Sequence, residues 1–182
     1  MQLRARVAAI SFGWMAGASV WADGSLVHNE YFSMELPSGF QEPVVARMTS
    51  GITFLYQRPH PGSRQATLLQ ISIVEVPNWS QEASITNPIA ALDSCVDMFL
   101  TEVSRTQTSF DKFDPASGEL DSKPMRKARW IGKSNDTHTT GVLACALSGR
   151  YYYVVHMQDA VRAAPSSFVA LSDSLRSLRF AR

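Results

Sequence analysis

Two cysteines, four histidines and one cluster of acidic and hydroxyl residues are the side chains with chemical potential in this chain of 182 residues. Cys95 and Cys145 lie far apart, and no His stands at metal-ligand spacing from either, so they do not build a zinc site. His28, His60, His138 and His156 also fail to pair at the spacing of a helix or hairpin site, and surface histidines are expected. Asp111, Asp114, Ser117 and Glu119 gather around Gly118. An EF-hand loop needs ligands at alternate positions, then Gly, then a Glu six residues later, and this stretch lacks that order. A solvated loop is expected there, with no metal. No Gly-x-Ser-x-Gly elbow and no glycine-rich phosphate loop occurs, so neither a catalytic residue nor a cofactor site is assigned. A hydrolase assembled from distant residues stays open as an alternative, because triads are defined by geometry rather than by position.

Recognition is the remaining chemistry. Trp79 follows the strongest strand of the chain, and Arg150, Tyr152 and His156 share one side of a later one. Trp, Tyr and Arg are enriched at binding hot spots, which makes these four residues the expected partner-binding positions. The alternative is ordinary: single aromatics are common on surfaces, and Tyr152 can lie under a loop.

The segment 1–22 carries Arg4 and Arg6, then an uncharged run from Val7 to Val20, then Val20-Trp21-Ala22. Basic, apolar and small-residue regions in that order predict a signal peptide cut near Ala22 and a periplasmic product. A cut after Ala18 would only move the boundary; the competing reading keeps the segment as an N-terminal anchor. Residues 23–182 then form a single domain, large enough for its own core. Without Arg4 and Arg6, fifteen Lys and Arg face sixteen Asp and Glu, a formal charge of −1. That balance argues against nucleic acid as a partner. No further apolar stretch reaches the roughly twenty residues of a membrane span. Oligomeric state is not legible.

Apolar alternation predicts strands over 31–36, 44–48, 52–57, 68–76, 125–131, 138–147 and 151–158. Asn87-Pro88 signals a helix start, since Asn caps free amides and Pro at the first position loses no hydrogen bond. Ile89, Leu92, Val96, Phe99 and Leu100 continue it as an apolar stripe. A second helix opens at Pro165 with Phe168, Leu171, Leu175 and Leu178. The polar stretch 111–123 reads as loop. Short connections require antiparallel pairing, so the expectation is α+β: an antiparallel sheet with two helices packed on one face. On β-period and helix-period alike, Cys145 and Cys95 point into that interface, which predicts a disulfide between them in an oxidising compartment. Two buried free thiols are the alternative. Tyr151, Tyr153, Val155 and Met157 should be the core side of their strand, with Tyr152 and His156 outward.

Tyr31-Phe32-Ser33-Met34-Glu35-Leu36-Pro37-Ser38-Gly39-Phe40 resembles the opening "phe-x-x-x-x-pro-x-gly-aromatic" of the PsbP-like superfamily, which includes the photosystem II extrinsic protein and exported DcrB-like proteins. The Gly149-Arg150-Tyr151-Tyr152-Tyr153 strand and the closing Ser174-Leu175-Arg176-Ser177-Leu178-Arg179-Phe180 are similar too. The resemblance implies a curved antiparallel sheet flanked by helices and a non-enzymatic binding or accessory role with a protein partner. Some type VI secretion immunity proteins share the fold, so neutralising a periplasm-delivered toxin is the narrower alternative. The resemblance carries over no catalytic residue, and the lipobox cysteine of the lipoprotein members is missing.

Overall fold

The computed structural model describes residues 24–76, 87–134 and 136–181; the 1–22 segment and Trp79 lie outside them. Five strands come first: β1 Leu26–His28, β2 Phe32–Glu35, β3 Val44–Met48, β4 Gly51–Pro59 and β5 Ala66–Glu75. Helix α1, Pro88–Ser104, is followed by β6 Ser109–Lys112, β7 Ala116–Leu120, β8 Lys123–Ser134, β9 Thr137–Ser148 and β10 Tyr151–Ala160. Helix α2, Ala164–Ser177, and β11, Arg179–Phe180, close the described chain. An eight-stranded sheet runs β3-β4-β5-β10-β9-β8-β6, with β7 also paired to β8, and β1-β2-β11 form a small second sheet. Each described pairing is antiparallel. The architecture is α+β.

Local chemistry explains the helix start. The Asn87 side chain accepts from the Ala90 amide at 3.0 Å, and Pro88 takes the first helical position. At the β9–β10 hairpin, Gly149 holds a φ of 56°, a conformation in which a Cβ is strained.

The two helices do not share a face, which corrects the arrangement expected from the sequence. Leu92, Cys95, Val96, Phe99 and Leu100 of α1 pack with Ala128, Trp130, Leu143, Cys145, Tyr152 and Val154. Leu171 of α2 packs on the other side with Tyr153, Val155 and Met157 of β10, Ile71 and Ile73 of β5, and Phe32 and Met34 of the small sheet. The cause is β10 itself. Tyr152 and Val154 on one side and Tyr153 and Val155 on the other leave no polar face, so a strand at the centre of the sheet needs cover on both sides.

The stretch 111–123, expected as loop, contains β7 and part of β6. Their side chains are mostly exposed, so they show no apolar alternation; backbone pairing along the edge of β8 builds them. Inside the α1 core the Trp130 indole lies directly over Gly141, its cross-strand partner, where a Cβ would collide with the ring. That close approach is what the glycine permits.

Candidate functional site

Each residue singled out in the sequence has a definite place. Cys95 and Cys145 form a disulfide that ties α1 to β9, with Cα atoms 6.3 Å apart. Of the expected recognition row, Tyr152 is buried, His156 is half-buried and Arg150 is exposed. Tyr152 is 8% exposed, its hydroxyl donates to the Ala91 carbonyl of α1 at 3.3 Å, and burial raises its pKa. His156 lies beside Trp130, ring centroids 5.7 Å apart, with Nε2 buried and without a hydrogen-bond partner. Desolvation pushes its pKa down to about 4. Both residues are on the side that α1 covers, because β10 is apolar on both faces and the outward assignment presumed one polar face. Arg150 alone is exposed, resting on the Tyr151 hydroxyl at 3.1 Å and 3.5 Å from Glu75.

A buried polar cluster had no signal in the sequence. The Asp159 side chain is fully buried; Oδ1 lies 2.8 Å from His60 Nε2 and accepts the Ala160 amide at 2.7 Å. Thr67 donates to Oδ2 at 2.8 Å, and Arg58 donates to Ser167 at 2.9 Å and to Thr67 at 3.3 Å. His60 is therefore not a free surface histidine. The cluster joins β4, β5 and β10 to the first turn of α2, beside a cavity of about 320 Å³. It gathers a His, a carboxylate and a hydroxyl, the ingredients of a hydrolase. Yet Ser167 bonds to Arg58 and Thr67 rather than to His60, so the histidine is not placed to take its proton.

On the α2 face, the helix covers β10 and leaves the β8–β9 half of the sheet open beside it. A groove of about 800 Å³ results. Val142, Ala144, Val155 and Met157 form its bottom. One wall is α2, through Phe168 and Leu175; the other is the β7–β8 hairpin, through Leu120 and Met125. The hairpin turns at Asp121 and Ser122, whose φ values of 49° and 59° are left-handed, and the Asp121 carboxylate accepts the Phe180 amide at 2.8 Å. Lys127 and Arg129 stand on the rim, across the ladder from Ala144 and Val142.

The two edges of the large sheet differ. β6 and β7 are short, carry Asp111, Lys112 and Glu119, and are separated by Pro115. At the other edge β3 presents Val44 and Val45, 45% and 47% exposed, and pairs only with β4 among the described residues.

No family model and no curated protein matches the sequence. Solved structures do match the fold. The solution structure of cyanobacterial PsbP from Synechocystis superposes with a TM-score of 0.58 at 11% identity, covering 92% of this chain and 98% of that one. The fold is PsbP-like. The PsbP-like fold of this chain is also similar to LpqN of Mycobacterium tuberculosis, described as involved in cell envelope biogenesis, with a TM-score of 0.53 at 9% identity over 87% of this chain and 86% of that one. A Bacteroides thetaiotaomicron structure matches with a TM-score of 0.53 at 13% identity; 88% of this chain is covered, but only 50% of that one, so the chain spans half its length.

Proposed function

We propose that this chain is an exported, non-catalytic binding or accessory protein that acts through a protein–protein surface, with β3 as the contact strand. The observation that carries this reading is the contrast between the sheet edges. Open edges present unpaired backbone groups, and proteins normally blunt them with charge, proline or shortness. Both edges are short, and β3 follows Pro43 and carries Arg47, but β3 also exposes the neighbouring valines Val44 and Val45 where β6 and β7 carry Asp111, Lys112 and Glu119. An extended segment of a partner can add to such an edge, gaining main-chain hydrogen bonds with apolar contacts at alternate positions. Export is supported by the Cys95–Cys145 bond, because reducing compartments keep thiols apart. The cyanobacterial and mycobacterial structures of the same fold are in keeping with an accessory role.

Val45→Lys places a charge on the contact strand at an exposed position. Co-purification from periplasmic extract should recover a stoichiometric partner with the wild-type chain and lose it with Val45→Lys, at an unchanged melting temperature. A partner retained at full yield by that variant removes β3 as the contact.

A further inference from the structure

The groove between α2 and the β7–β8 hairpin is a second site, separate from the β3 edge. We propose that it binds a long-chain fatty acid, with the alkyl chain along its bottom and the carboxylate on Lys127 and Arg129. Three observations carry this. The volume, about 800 Å³, lies in the range of small-molecule sites, roughly 300–1,000 Å³. The bottom is aliphatic, set by Val142 and Ala144 of β9 with Val155 and Met157 of β10, so it offers dispersion contacts and hydrophobic burial but nothing to recognise a polar body.

The third is charge. Arg179 is 3.8 Å from Asp121 and Arg176 is 2.7 Å from Asp173, so both α2-side cations are matched. Lys127 and Arg129 have no ion-pair partner among the described residues, and they project from the same face of β8 as Met125. Arg129 lies over the Phe113 ring at 5.7 Å, which holds its guanidinium above the groove while leaving its donors free for a carboxylate. Glu119 also lines the groove but forms no ion pair with either among the described residues. It shares one side of β7 with Ser117, whose hydroxyl accepts from Arg126 at 2.8 Å. Asp114, in the connection before β7, and Glu119 are the other carboxylates of the lining besides Asp121; against Lys127, Arg129, Arg176 and Arg179 they leave the groove with one positive charge in excess. A ligand with one apolar tail and one anionic end matches this distribution.

The test uses the full exported chain and cis-parinaric acid, a fluorescent fatty acid, as the probe. Saturable one-to-one binding is expected, reversed by palmitate and at least tenfold less well by hexadecanol, which has the same chain without the acid. Lys127→Ser/Arg129→Ser should weaken the probe at least tenfold with an unchanged melting temperature, since both side chains are exposed. Val45→Lys should bind the probe normally, so failure here is separable from failure at the edge strand. Absence of saturable fluorescence, equal displacement by hexadecanol, or full affinity in the double variant each overturns the proposal. Association with anionic phosphatidylglycerol vesicles without binding of the monomeric probe also overturns it, and points to a bilayer surface instead.

Discussion

Enclosure of His156 makes one imidazole a pH-dependent component of stability. Its pKa falls from 6.5 to about 4 on burial, so the folded state holds it neutral where the unfolded chain would protonate it. The unfolded state therefore binds more protons between those values. Stability from this residue is complete above pH 6.5 and is lost as pH falls towards 4, by up to about 3 kcal/mol. Urea midpoints of wild type minus those of His156→Phe, taken from pH 7.5 to 4, should show that slope; a flat difference would mean the ring is hydrated. Tyr152 gives a companion measurement. A surface tyrosine costs under about half a kcal/mol when truncated, whereas Tyr152→Ala, at a position 8% exposed under α1, should cost about 3 kcal/mol or more. The sequence places both residues in a row on one side of a strand, but not which side is covered, because β10 is apolar on both faces. His60 and Asp159, 99 positions apart, gave no such clue, because no local pattern links a loop histidine to the end of a distant strand.

Between elements, two fastenings fix the helices on opposite faces of the sheet. The disulfide closes a loop of 50 residues between α1 and β9, worth about 4 kcal/mol in the chain-entropy account. Cys95→Ser should lower stability by about 2–4 kcal/mol, and unreduced, denatured wild type should take up no thiol label. Helix α2 is held at its start by the Asp159 cluster. Asp159→Ala leaves His60 and Thr67 without their acceptor inside the protein, and should cost about 3 kcal/mol in chemical denaturation. A loss below about 1 kcal/mol would show that water replaces the carboxylate. The α1 boundary was readable from Asn87-Pro88, because capping chemistry is local. β7 was not, since a strand with ASGEL for its sequence is defined by the β8 backbone it pairs with rather than by its own side chains.

Over the whole molecule, stability should be graded from the middle of the large sheet to its rims. β5, β9 and β10 are paired on both sides, while β3 on one edge and β6 and β7 on the other are paired on one. Native-state amide exchange should therefore be slowest in β9 and β10 and faster by orders of magnitude in β3 and β6. Equal protection across the sheet would mean that it opens only as a unit. The α+β class followed from strand and helix periods in the sequence. The two-layered cover did not, because period alone cannot say whether a strand with apolar residues on both sides is central or is half exposed.

The double-sided apolar character of β10 has a cost outside the native state. Tyr151-Tyr152-Tyr153-Val154-Val155-His156-Met157 has high β-propensity, no proline, no glycine and no carboxylate, lysine or arginine. Segments of that kind stack into steric zippers when exposed. In the folded chain both its ladder edges and both its faces are occupied, by β5, β9, α1 and the α2 layer. By pinning α1, the Cys95–Cys145 bond is expected to keep this aggregation-prone heptapeptide sealed, so Cys95→Ser should form fibrils, followed by thioflavin T fluorescence, sooner than wild type.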